Sequence, residues 1–68
     1  MFDEENRIYI TKNGIIKLTY GENHLLRLLF DNKGKVIDCS YRDIHNLRKK
    51  LKGEVEIKTR RGRGYYID

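Results

Sequence analysis

Three arginines fall within four positions near the C-terminus, Arg60, Arg61 and Arg63, interleaved with Gly62 and Gly64. A guanidinium is always charged and presents a planar fork of donors that fits phosphate oxygens and the edges of bases. Val55 to Thr59 alternates ahead of this cluster and Tyr65-Tyr66-Ile67 follows it. The cluster therefore reads as the tip of a two-stranded ribbon. Upstream, Ile44, Leu47 and Leu51 recur at i, i+3 and i+7, the stripe of an amphipathic helix over residues 40–52. At about 100° per residue, Arg42, His45, Asn46 and Lys49 point away from that stripe. Arginine and asparagine can make bidentate contacts with base edges, while Lys49, Lys50 and Lys52 suit phosphates. A basic helix beside an arginine-tipped hairpin is suited to a duplex. The bland alternatives are a solvated helix face and a hairpin kept soluble by charge. Three arginines in four positions exceed what solubility requires.

Other chemistry finds little support. His24 and His45 are far apart, with no cysteine or carboxylate cluster at ligand spacing, so neither a metal nor a cofactor is expected. Nucleophile–base pairs, phosphate loops and paired acids are not visible, and the chain is not expected to be an enzyme. Tyr9, Tyr20, Tyr41, Tyr65 and Tyr66 are scattered over different elements, which favours packing over stacking on single strands.

The 68 residues bound a single domain, 1–68, with a small core. Fifteen Lys and Arg against ten Asp and Glu give a net charge of +5. The charge is segregated: Asp3, Glu4 and Glu5 open the chain, and residues 42–63 carry most of the cations. That segregation favours a polyanionic partner. No apolar span, lipidation signal or secretory leader is evident, and the single Cys39 fits a reducing, cytoplasmic setting.

The positioning elements follow from pattern. Residues 1–6 are acidic and expected to fray. Arg7 to Thr11 alternates, Asn13-Gly14 supplies a hairpin signal, and Ile15 to Leu18 returns. Thr19 and Glu22 form a capping box that opens a helix over 20–32, closed by Lys33-Gly34. Ser40 to Asp43 repeats the capping logic before the second helix, and Gly53 ends it. The expected fold class is α+β, in the order β-β-α-α-β-β, with an N-terminal hairpin and a C-terminal wing hairpin.

Taken together, Leu18-Thr19, Glu22, Leu25-Leu26, Leu29, Asn32, Gly34 and Val36, followed by Ile44, Leu47-Arg48, Lys50-Leu51, Ile57, Thr59, Arg61-Gly62 and Gly64-Tyr65, resemble the OmpR/PhoB-type winged-helix domain of bacterial response regulators. The resemblance spans residues 8–67 and implies a minimal winged-helix-like domain that regulates transcription. By resemblance, His45, Asn46 and Arg48 would lie at the DNA, Thr59 and Arg61 would hold the phosphate backbone, and Arg63 would enter or skirt the minor groove. It also implies a core position for Tyr65 and an outward one for Tyr66. Asp43 departs from the family's usual polar residue, and helix capping accounts for it.

The larger departure is a deletion. Where the family has a whole positioning helix and a polymerase-contacting loop, this chain has only residues 34–39. Occupancy of an operator is therefore easier to reconcile with the sequence than polymerase recruitment. The loss also leaves Leu25, Leu26, Leu28, Leu29 and Phe30 spread over about 200° of the first helix, wider than a surface helix needs. A second copy of the chain is expected to cover that surface, giving a homodimer. Two competing readings are a protein-interaction module that works through the same apolar face, and binding of structured RNA through the basic one.

Overall fold

In the computed structural model all 68 residues are described, in the order β1 (Phe2–Asp3), β2 (Ile8–Thr11), β3 (Gly14–Lys17), α1 (Tyr20–Asp31), α2 (Tyr41–Lys50), β4 (Lys58–Arg60) and β5 (Gly64–Tyr66). The class is α+β, with one strand more than the pattern predicted. The first three strands form an antiparallel sheet in the order β1-β2-β3, and β4 and β5 form a separate hairpin.

The extra strand corrects the expectation that residues 1–6 fray. Phe2 pairs with Tyr9 and Asp3 with Ile8, and Met1 and Ile10 exchange hydrogen bonds through both backbone groups. Acidity masked the signal, because only Phe2 faces inward. Its ring stacks on Phe30 of α1, centroids 5.8 Å apart and 18° from parallel. Glu4 then bonds Arg27 of the same helix.

The β2–β3 turn is also one residue earlier than predicted. Thr11 pairs with Gly14, so Lys12-Asn13 is the two-residue loop. The Thr11 hydroxyl accepts from the Asn13 N–H and donates to the Gly14 carbonyl, which stabilises this turn over an Asn-Gly one.

Helix α1 starts as the capping box requires. Thr19 Oγ1 accepts the Glu22 N–H at 3.2 Å, and Glu22 Oε1 accepts the Thr19 N–H at 2.8 Å. At the other end, Asn32 closes the helix onto the Leu28 carbonyl, and Gly34 takes a positive φ of 83°. Helix α2 is shorter than the predicted 40–52, and Ser40 makes no side-chain cap bond. Asp43 does not cap α2 either. Its carboxylate lies 3.5 Å from where a Cβ on Gly21 would sit, over the first turn of α1. There the negative charge meets the positive end of the α1 dipole.

The apolar arc of α1 is filled from within the chain. Leu25, Leu26 and Leu29 are 4%, 0% and 0% exposed, and Leu28 and Phe30 are partly covered. Ile44, Leu47 and Leu51 of the second helix segment, each fully buried, meet them together with Tyr9, Leu18, Ile57 and Ile67. Residues of the N-terminal sheet and of the hairpin segment thus complete the core around α1. Leu25, Leu26 and Leu29 are therefore not exposed, as a homodimer contact or an interaction face through them requires, while Leu28 and Phe30 stay partly exposed. Each buried aliphatic side chain contributes about 1.5–3 kcal/mol.

Residues 34–37 run beside the hairpin. Ile37 and Tyr65 exchange N–H to carbonyl bonds of 2.7 and 2.9 Å, and the Gly34 N–H donates to the Ile67 carbonyl at 2.7 Å. The predicted strand over 55–59 is confined to Lys58–Arg60, although Ile57 just before it is core. No helix is long and apolar enough to cross a membrane.

Candidate nucleic-acid interface

Burial of Ile44 and Leu47 fixes the rotation of α2 and with it the opposite face. Tyr41, Arg42, His45, Asn46 and Lys49 are all exposed there. The last turn carries Arg48, Lys49 and Lys50, where cations complement the helix dipole. Tyr41, 68% exposed, lies against His45 one turn on, ring centroids 5.9 Å apart. Sequence reasoning passed over this pair, although the i, i+4 spacing was its signal.

Arg48 has a different position from these outward neighbours and is only partly exposed. Its Nε and Nη2 donate to the Ile57 carbonyl at 3.1 and 2.8 Å, and Nη2 also bonds the Thr59 hydroxyl. Its guanidinium lies over the Tyr65 ring, 5.4 Å from the centroid. The side chain is thus a strut between α2 and the hairpin, and Thr59 Oγ1 is one of its acceptors. Both residues position the site. Neither side chain is left free as the family resemblance implied.

The hairpin tip is built by its glycines. The Arg63 N–H closes a turn onto the Arg60 carbonyl at 2.9 Å, with Gly62 in third position at φ 76°. A positive φ at that position favours glycine. Gly64 is more constrained: with φ at 147°, a Cβ there would collide with the Ile37 carbonyl. Arg61 and Arg63 project from this turn and are exposed, and Arg60 lies over Tyr66 at 5.8 Å. Tyr65 and Tyr66 are therefore both platforms for arginines, Tyr65 on the Arg48 side and Tyr66 on the Arg60 side.

The ion pairs lie elsewhere. Arg27 binds Glu4 and Asp31, Lys50 binds Glu22, and Lys58 binds Asp68. Arg42, Lys49, Arg60, Arg61 and Arg63 take part in none of them. Of the N-terminal acids, Glu4 bonds Arg27 of α1 and Asp3 bonds Asn6. Acidic residues do bound the basic area: Glu54 and Glu56 share a groove with Arg48 and Lys52, and Asp38 lies beside Arg60 and Arg63.

No three His, Cys, Asp or Glu side chains converge in a metal-holding cluster. The Cys39 thiol is half-buried, and burial, then the charges of Asp38 and Asp43, push its pKa up, away from a reactive thiolate. No protein-family model matches the chain, and no curated protein matches it either.

Proposed function

We propose that this chain is a minimal, winged-helix-like DNA-binding module related to the OmpR/PhoB type and shortened by its central helix. Helix α2 lies in the major groove, with Asn46, His45 and Arg42 toward base edges and Lys49 toward a phosphate. The β4–β5 tip sits on the adjoining backbone and minor groove through Arg60, Arg61 and Arg63. What supports this reading most is that those cations, all on the outer face of α2 or the hairpin tip, are exposed and in no ion pair, whereas Arg27, Lys50 and Lys58 hold acids. The Arg48 strut adds to it, because a fixed helix–hairpin angle lets two elements engage one duplex without reordering. At about 15 Å, α2 is long enough to lie across a groove roughly 12 Å wide. The module acts by occupancy of a promoter or operator in the cytoplasm, as a binding protein and not an enzyme.

The test is anisotropy titration of random duplex DNA and of a structured RNA hairpin across a salt series. With about five phosphates engaged, affinity for duplex falls roughly 500-fold between 50 and 200 mM salt. Arg61→Ala with Arg63→Ala lowers the log–log slope by about 2. No duplex affinity at low salt, or tighter binding of the RNA, would overturn the proposal.

A further inference from the structure

We infer that the outer face of the N-terminal sheet is a docking surface for a second copy of this chain. Register and alternation define that face. Phe2, Tyr9 and Ile16 form one cross-strand row and belong to the core or pack against it. The rows on either side therefore point the other way. One is Met1, Ile10 and Ile15, joined by the hydrogen bonds between Met1 and Ile10 and the pairing of Ile10 with Ile15. The other is Asp3, Ile8 and Lys17. Met1, Ile8, Ile10 and Ile15 do not pack against the core, and Met1 and Ile15 are 73% and 63% exposed. Helix α1 meets the sheet on the opposite side, where Phe2 stacks on Phe30. A contiguous apolar patch of this kind marks a place for a partner.

The charges at the ends of the second row select the partner. Asp3 lies on β1 and Lys17 on β3, with Ile8 between them, and neither is in an ion pair. Asn6 bonds both oxygens of the Asp3 carboxylate, which orients it and leaves lone pairs for a cation. A two-fold axis parallel to the strands sets β1 of one copy over β3 of the other. Asp3 of each copy then meets Lys17 of the other, Met1 meets Ile15, and Ile8 and Ile10 each meet their own counterparts. Face-to-face sheets align within about 30°, which this axis permits. A two-fold across the strands would instead press Asp3 onto Met1 and Lys17 onto Ile15, leaving both charges covered and unpaired. Lys12, next on this face by alternation, lies at the turn, where its long side chain reaches solvent. The face is about 15 Å on a side, so the contact falls well short of the ~800 Å² per partner of a stable complex. The dimer is accordingly weak, with a dissociation constant on the order of hundreds of micromolar. No residue of this face belongs to the proposed duplex contacts, so each reading can fail alone.

Sedimentation equilibrium of the full chain tests the surface. The weight-average mass is expected to climb from the monomer value toward twice that value between about 20 µM and 2 mM. Ile15→Lys alters a residue already exposed and lowers self-association by about tenfold or more. Asp3→Lys and Lys17→Asp each lower it by a similar factor, about tenfold, because like charges then face each other. An equimolar mixture of those two variants restores association, since every cation of one copy meets an acid of the other. Unchanged hydrogen exchange at the Ile10 amide in Asp3→Lys shows that β1 is still paired, and Ile15→Lys carries the test without disturbing the Asn6 bonds. Three results would overturn the site: a monomer at about 2 mM, association indifferent to Asp3→Lys (as pairing along the β3 edge would give), or a mixture no more associated than either variant alone. Duplex affinity measured on the same samples separates this failure from failure of the DNA reading.

Discussion

Arg48 and Ile57 are joined through one carbonyl oxygen that accepts from both Nε and Nη2 of the guanidinium, at 3.1 and 2.8 Å. The bond ties the helix whose outer face is basic to the strand that leads into the arginine tip. Arg48→Ala removes it together with the Thr59 bond and the contact with Tyr65. The loss is expected to cost about 2–3 kcal/mol and to speed exchange at the hairpin amides first. Arg48→Lys does not restore it, since an ammonium has neither the fork nor the flat face. If Arg48 works as a strut, duplex affinity falls in the alanine variant while the salt slope changes by much less than 1. A full unit of slope would instead place Arg48 on a phosphate.

Glu22 is the one buried acid, 2% exposed, and it closes the α1 capping box while accepting from Lys50. Burial alone would raise its pKa, but the bonds from Lys50 and from the Thr19 backbone outweigh that and hold it below the ordinary 4.5. A carboxyl with a depressed folded pKa contributes stability that is complete above the unfolded value. That stability is lost as pH falls through the folded value. Chemical denaturation is therefore expected to show stability flat above pH 5 or so and declining below the ordinary carboxylate range. Glu22→Gln flattens that decline, and Glu22→Ala, which strands Lys50 and the cap, costs about 3 kcal/mol at neutral pH. An unaltered acid limb in the glutamine variant would assign the pH dependence to other carboxylates.

Gly62 and Gly64 both take positive φ, yet they answer to different constraints. Around Gly62 there is open space, so Gly62→Ala pays only for backbone strain, about 1 kcal/mol. Gly64→Ala adds a collision with the Ile37 carbonyl, the group that receives the Tyr65 N–H. A loss of roughly 2 kcal/mol or more is expected, with residues 34–37 released from the hairpin. Equal thermal shifts for the two variants would mean that this close approach contributes nothing.

Much of this could be read from the sequence where a pattern had a single physical solution. Thr19 and Glu22 admit one helix start, and Ile44, Leu47 and Leu51 admit one buried face, so the outward set of Arg42, His45, Asn46 and Lys49 followed. Phe2 was illegible because one inward residue among acids carries no periodicity, and its partner Phe30 is 28 positions away. Without that contact the apolar arc of α1 looked open. The bonds of Arg48 were illegible for a related reason: its angle on α2 borders the outward face, and only the position of Ile57 decides which way the guanidinium turns. Asp43 looked like a cap because spacing cannot show that Gly21 leaves room for it on the neighbouring helix.

Asn46 and Lys49 lie on the same exposed face of α2 but belong to different kinds of contact. An asparagine amide offers a donor and an acceptor together, which matches the major-groove edge of adenine; an ammonium offers charge without a sequence code. Selection from a random duplex pool is expected to give the wild-type chain a short preferred motif, since α2 reaches only a few base pairs. Asn46→Ala should weaken the preferred duplex by about 1–3 kcal/mol, leave random duplex nearly unchanged, and flatten the preference at one position. Lys49→Ala should weaken both duplexes alike and reduce the salt slope by about 1. Parallel titrations of the two duplexes distinguish these outcomes directly. If Asn46→Ala and Lys49→Ala behave identically, α2 rests on the backbone alone and the module reads shape and charge, with no base contact of its own.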